Sequence, residues 1–255
     1  MLAGGTPQPG EPLWAATGGA PKALLPLAGR PMIHWVLAAL DGAQHIDRVV
    51  VAGLDTASAA EAGLLLAGGT SVEYLPDAGS LVANAYAAIA RLTPGSPAAY
   101  CWSDIPLITA DMIDRFIDGT TNPHLDINAG LVPKADLLGR YPGCDDLWLR
   151  VREGRFIAAD FGLFNPANAE RARRHLEVLM PQRKSAARQA LYLGVPFLLR
   201  FVCGRLTIPA LEAHLARRFD LHCHIRVVGD PELGLDVDND TNLAVCRAAL
   251  ERSWS

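Results

Sequence analysis

Leu2-Ala3-Gly4-Gly5 opens the chain, and after a Gly/Pro-rich stretch comes Pro21-Lys22-Ala23-Leu24-Leu25-Pro26-Leu27-Ala28-Gly29-Arg30-Pro31. Two features of this pair of strings carry chemistry. Gly4 and Gly5 lack side chains, so their backbone N–H groups can approach phosphate oxygens closely. Lys22 offers a compact, mobile positive charge suited to the same oxygens. An ordinary turn followed by a solvated lysine is the competing reading, and the two glycines alone would not displace it. The whole string, with its regular Leu-Leu-Pro-Leu run and Pro31 poised to open a helix, points to a phosphate loop.

Working outward, the chain alternates strand-like and helix-like segments. Met32 to Leu40 is apolar with helical period. Arg48-Val49-Val50-Val51-Ala52 is a short β-branched run, the pattern of a buried strand. Ser58 to Leu66 reads as a helix capped by Ser58, Ser71 to Leu75 as a strand and Ser80 to Leu92 as an Ala-rich helix. Ala98 to Trp102 is a strand running into Ser103-Asp104, and Thr109 caps a helix through Phe116. This spacing predicts βαβ units and a Rossmann-like, three-layer α/β/α fold around a mostly parallel mixed sheet, which binds ligands at the carboxyl ends of its strands. Further on, Asp126 to Val132 reads as a strand and Leu147 to Phe161 as a hairpin turning at Glu153-Gly154. Ala169 to Met180 reads as a helix. Lys184 to Leu215 is helical with breaks near Val195-Pro196 and Thr207. Leu221 to Val228 is a last strand, and a closing helix starts with Asp240 or Thr241 as cap. The chain is expected to be a single domain, residues 1–255, with a substrate-side insertion at about 134–220.

Composition narrows the function classes. Half of the 255 residues are hydrophobic, enough for one large core, and the net charge of −4 offers no basic excess for gripping nucleic acid. The five cysteines form no CxxC pair, which argues against a disulfide framework or zinc knuckle and for a reducing cytoplasm. No secretory signal pattern is visible. Leu191 to Val202 is too short and too interrupted to span a bilayer, so no stable membrane insertion is expected.

Two acidic motifs stand out. Asp104, in Ser103-Asp104-Ile105-Pro106, follows an apolar strand, and a carboxylate there points into the ligand crevice. Mg²⁺ takes one or two carboxylates plus phosphate oxygens. A turn cap before Pro106 is the alternative. In Asp236-Val237-Asp238-Asn239-Asp240, an extended backbone puts Asp236 and Asp238 on one face, while Asp240 suits a helix cap.

Together these strings resemble the signature of the MobA-like and sugar-phosphate nucleotidyltransferases, LAGG, a Gly-rich loop, then PKxLLPLxGKP. The resemblance implies a Rossmann-like nucleotidyltransferase with Leu2, Ala3, Gly4, Gly5 and Lys22 binding nucleotide and Arg30 where the family usually has lysine. It implies a metal, Mg²⁺, on Asp104 and on Asp238, with Asp236 as fallback. Catalysis would rest on Lys22 and Asp104. Gly79 and Ser80, between a strand and a helix, would meet the base, with a plain helix cap as the equal alternative. The partners would be an NTP and a phosphorylated small-molecule acceptor, and pyrophosphate would be released. Two departures are visible. The loop lacks the family's arginine, whose place is taken by Pro12. The family's first strand precedes LAGG, whereas here it is truncated or missing, and a start assigned too late is the expectation. A nucleotide-sugar-dependent glycosyltransferase and a non-catalytic nucleotide-binding regulatory protein are the alternatives. Arg183-Lys184 reads as a solvated basic face before an acceptor-phosphate site, and His222-Cys223-His224 as a strand with one inward cysteine.

Overall fold

The computed structural model describes residues 1–3, 5–64, 69–144, 148–179 and 192–253. In chain order these form α1 (Trp14–Thr17), β1 (Pro26–Leu27), β2 (Arg30–Pro31), α2 (Met32–Gly42), β3 (Arg48–Ala52), α3 (Thr56–Glu61), β4 (Ser71–Leu75), α4 (Leu81–Ile89), β5 (Ala98–Cys101) and α5 (Ala110–Asp118). Then come β6 (Ile127–Pro133), α6 (Lys134–Arg140), β7 (Leu149–Val151), β8 (Gly154–Ala158), β9 (Phe161–Phe164), α7 (Ala169–Leu179), α8 (Val195–Val202), α9 (Ile208–Phe219), β10 (Cys223–Val227) and α10 (Asp240–Ser253).

The β-branched run of β3 explains the layering. Successive side chains of a strand face opposite ways. Val49 and Val51 join one core with Ile33, Val36 and Leu37 of α2. Val50 and Ala52 join another with Leu75 of β4 and Ala88 of α4. One strand thus feeds both helical layers, which is why nearly every residue in it is apolar.

β3 pairs in parallel with β4, Arg48 opposite Ser71 through Ala52 opposite Leu75. On the other side of β3, among the described residues, lies Met1–Ala3. Leu2 bridges Ala52 and Trp102 in parallel sense. The Ala3 N–H donates to the Ala52 carbonyl at 2.9 Å and the Leu2 N–H to that of Cys101 at 3.0 Å. Three residues therefore join β3 to β5. β5 pairs antiparallel with β9, β9 with β6, and β6 in parallel with β10. β8 continues along β6 beyond β9, and β7 flanks β8. Since β5 and β6 both run antiparallel to β9, they point the same way, and their carboxyl ends share one edge of the sheet with those of β3, β4 and β10.

The shortness of the Met1–Ala3 segment has a structural consequence. Below Met1, β3 and β5 are not bridged, and a cavity of about 800 Å³ opens between their amino ends, lined by Val49, Val50, Ala88, Ala98, Ala99 and Tyr100 among others. The Met1 ammonium caps it, donating to the Val50 carbonyl at 2.8 Å. Burial pushes that amine below its ordinary value of 8.0.

Several local expectations shift. The third helix starts earlier than Ser58, because Asp55 caps it by accepting the Ser58 N–H at 2.9 Å. The hairpin turns at Arg152-Glu153, one residue earlier, since Val151 faces Gly154. The closing helix is capped by Asn239, whose Oδ1 accepts the Asn242 N–H at 2.8 Å, leaving Asp240 in the first turn. Thr109 caps α5 as read. Residues 184–191 of the long helical reading lie outside the described residues, and its later part resolves into α8 and α9.

Candidate active site

Lys22 begins a single 3-10 turn, Lys22–Leu24. Its N–H donates to the Gly5 carbonyl at 3.2 Å, which clasps the two ends of the Gly/Pro-rich loop. Ala23 and Leu25 are buried to within 1% and anchor the turn in the core. The β1–β2 hairpin follows, with Ala28 and Gly29 both at positive φ, the conformation that a two-residue hairpin turn requires. The Met32 N–H then reaches back to the Leu25 carbonyl. Lys22 therefore starts a clamp that is pinned in the core by Ala23, Leu25 and Leu27.

Asp104 follows β5 directly. The Ser103 N–H donates to Leu2, Ile105 is fully buried, and the Asp104 carbonyl accepts the Val237 N–H at 2.9 Å. That last bond stitches the second acidic motif to the end of β5. Leu235 and Val237 are fully buried, so the intervening alternation turns Asp236 and Asp238 the other way, as the extended reading requires. Asn242, itself fully buried, donates from Nδ2 to the Asp236 carbonyl at 2.9 Å and holds the segment against α10.

These supports bring three distant residues together. Lys22 Nζ lies 2.7 Å from Asp104 Oδ2 and also donates to Asp238 Oδ1. The Lys22 and Asp104 side chains are 12% and 13% exposed, whereas Asp238 is 65% exposed and open to solvent. Burial works to lower the Lys22 pKa, but the two carboxylates outweigh it and hold the ammonium above its ordinary range. Lys22 is thus a fixed cation at the carboxyl edge of the sheet. The sequence showed each residue separately; their mutual ion pairing was not visible in it.

The matching family model, the MobA-like NTP transferase domain, spans residues 2–139, more than half of the chain and the whole stretch from Leu2 past Asp104. The chain belongs to the MobA-like NTP transferase family. It is a nucleotidyltransferase, and its reaction is NMP transfer. A hypothetical transferase from Thermus thermophilus has the same fold, with a TM-score of 0.80 and 29% identity over 95% of this chain and 96% of that one. CMP:2-keto-3-deoxy-manno-octonic acid synthetase complexed with CTP shares the fold at a TM-score of 0.61 and 14% identity, over 99% and 96% of the two chains. So does 4-diphosphocytidyl-2C-methyl-D-erythritol synthase from Anaerococcus prevotii, at 0.57 and 10%, over 98% and 96%. No curated protein matches the sequence.

Within this MobA-like domain the remaining sequence candidates fall as follows. Leu2 and Ala3 sit at the carboxyl end of the three-residue stub, and Gly5 is exposed beside them. Gly4, Arg183 and Lys184 lie outside the described residues. Ser80 caps α4, its Oγ accepting the Ala83 N–H at 3.1 Å, and Gly79 precedes it at φ +84°. Pro12, in place of the family's arginine, is exposed. Cys223 is half-buried between the exposed His222 and the half-buried His224, within or beside β10. Among the described residues no helix is long and apolar enough to cross a membrane. The cavity of about 800 Å³ below Met1 lies at the opposite edge of the sheet from Lys22.

Proposed function

We propose that this chain catalyses Mg²⁺-dependent transfer of an NMP group from an NTP to a phosphorylated small-molecule acceptor, releasing pyrophosphate. The observation that supports it most is the convergence of Lys22, Asp104 and Asp238 at the carboxyl edge of the sheet.

The donor set fits the metal. Among the described residues no group of three or more side chains of the metal-binding types comes together, but Mg²⁺ needs only one or two carboxylates when substrate phosphates and water complete its shell. The Lys22 ammonium, bonded to both carboxylates, is a stand-in for a cation between them. Asp104 and Asp238 would hold the ion, which when bound supplies Lewis-acid polarisation of the phosphoryl oxygens.

The chain's own residues would do the rest. Gly5 and its neighbour Gly4 would present backbone N–H groups to the triphosphate, with Leu2 and Ala3 beneath the nucleoside. Lys22 would shift from the carboxylates to the β- and γ-phosphates and offset the charge that builds on departing pyrophosphate. An acceptor phosphate oxygen would attack the α-phosphorus in line as the bond to the β-phosphate oxygen breaks, with no covalent enzyme intermediate. Gly79 and Ser80 would face the base. The segment at about 134–220 would serve the acceptor, and it follows β6, whose carboxyl end lies on the Asp104 edge of the sheet.

A pyrophosphate-release assay of the four NTPs against a panel of phosphorylated sugars, polyols and pterins tests this. Release that depends on one acceptor, stops with EDTA and returns with Mg²⁺ is expected. Transfer unaffected by chelation would remove the metal from the reaction.

A further inference from the structure

Asn84 is a buried polar side chain that the chemistry above does not use. It lies in the first turn of α4, 6% exposed. Its Oδ1 accepts the Ala78 N–H at 2.7 Å, and its Nδ2 donates to Asp77 Oδ1 at 2.9 Å. That same oxygen of Asp77 accepts the Gly79 N–H at 3.0 Å. One amide therefore ties down three consecutive residues, Asp77, Ala78 and Gly79, just before Ser80.

The other side of Asn84 faces the phosphate loop. Gly53 follows β3 at φ +96°, and a Cβ built on it would meet the Ala3 carbonyl oxygen at 2.8 Å and Asn84 Nδ2 at 3.2 Å. The Gly53 and Leu54 N–H groups both donate to the Leu75 carbonyl, at 3.0 and 3.1 Å. Ala3, Gly53 and Asn84 thus form a close-packed stack that links the end of the N-terminal stub to the 77–80 loop. A buried amide paired through both its oxygen and its nitrogen in such a place locks geometry, because other arrangements would leave those groups unsatisfied.

We propose that Asn84 is the positioning residue that sets the 77–80 loop at a fixed distance from the phosphate loop, so that base and triphosphate are gripped as one rigid unit. This rests on the reading of Gly79 and Ser80 as base-facing. Asn84 acts through Asp77 and Ala78 and is not itself a contact of the nucleotide. Asp77, exposed on the loop, is the outer half of the same device.

The experiment measures Kd for the four NTPs and for inorganic tripolyphosphate, each with Mg²⁺, on the wild-type chain and on Asn84→Ala, Asp77→Ala and Asp77→Asn. Tripolyphosphate carries the charge but no base. In Asn84→Ala the NTP Kd should rise about tenfold, equivalent to ~1.4 kcal/mol, while tripolyphosphate binding stays within about twofold. KM for NTP should rise in parallel and kcat fall less than about threefold, the pattern of lost uniform binding. Asp77→Ala should shift the same way by about threefold, and Asp77→Asn, which keeps an accepting oxygen, should restore most of it. If Asn84→Ala does not fold, the exposed Asp77 pair carries the test. Equal losses for NTP and tripolyphosphate, or no loss for NTP, would overturn the role of Asn84. Equal affinity of the wild-type chain for NTP and tripolyphosphate would remove the base-facing loop itself, and the proposal with it.

Discussion

The two edges of the gap between β3 and β5 are built from the same three residues and differ completely. At the carboxyl edge, Leu2 and Ala3 complete both ladders, and the N–H of Ser103 closes on Leu2. Lys22, Asp104 and Asp238 meet just beyond. At the amino edge, the Met1 nitrogen donates to the Val50 carbonyl above a mainly apolar cavity of about 800 Å³. The contrast teaches that chemistry and stability draw on opposite ends of one strand position. The carboxyl edge is tied into both neighbouring ladders, while the amino edge borders a cavity. The carboxyl edge should therefore govern turnover, and the amino edge should govern melting temperature.

The largest expected effect lies at the carboxyl edge. Asp104→Asn, which keeps the shape and removes the charge, should lower kcat by about 10²–10³-fold, read by pyrophosphate release. Activity within about threefold of wild type would detach Asp104 from the reaction. Asp104→Ala should lose as much turnover and also melt lower, because it leaves the half-buried Lys22 with one carboxylate fewer.

Next comes the competition between ammonium and metal. Lys22→Met should tighten Mn²⁺ binding by the nucleotide-free chain several-fold, since it clears a cation from both carboxylates, even though turnover falls. Weaker Mn²⁺ binding would mean that Lys22 supports the carboxylates as ligands rather than standing in for the ion.

A smaller effect is expected at the amino edge. Fusing four β-branched apolar residues to Met1 by design should fill part of the cavity, gain about 2 kcal/mol net of chain ordering and raise Tm by roughly 5 °C, with kcat unchanged. A lower Tm would show that β3 and β5 close on each other without help.

The smallest effect is a pH dependence. The Met1 amine has a folded pKa below its unfolded value of 8.0, so the unfolded chain holds that proton more tightly. Stability of the 255-residue chain should rise as pH climbs towards 8.0 and level off above it, because burial then no longer requires deprotonation. Chemical denaturation across that range checks this, and acetylating the terminus should remove the slope.

Much of this was legible in sequence for physical reasons that differ by residue. Arg48–Ala52 announced a buried strand because both its faces must be apolar, and Asp104 announced a position at the carboxyl end of a strand because it follows the apolar run Ala98–Trp102. What escaped depends on tertiary neighbours. β9 inserts between β5 and β6 although it follows both in the chain, and nothing in Phe161–Phe164 encodes that place. Asn84 reads as one more residue of an Ala-rich helix until Gly53 and Ala3 are packed against it. The Asp55 cap could have been found, since Asp is a preferred N-cap residue and Asp55 directly precedes the helical run from Thr56. The pairing of Lys22 with both aspartates could not, since residues 82 and 216 positions away meet only in the fold.

The central claim is that Lys22, Asp104 and Asp238 form one triphosphate-and-metal site, and a crystal structure with Mn²⁺ and a non-hydrolysable NTP tests it most directly through anomalous scattering. The expected result is a manganese peak bonded to Asp104 and Asp238, with the Lys22 ammonium moved onto the phosphates. A metal bound elsewhere, or Lys22 still bridging both carboxylates beside a bound nucleotide, would contradict it.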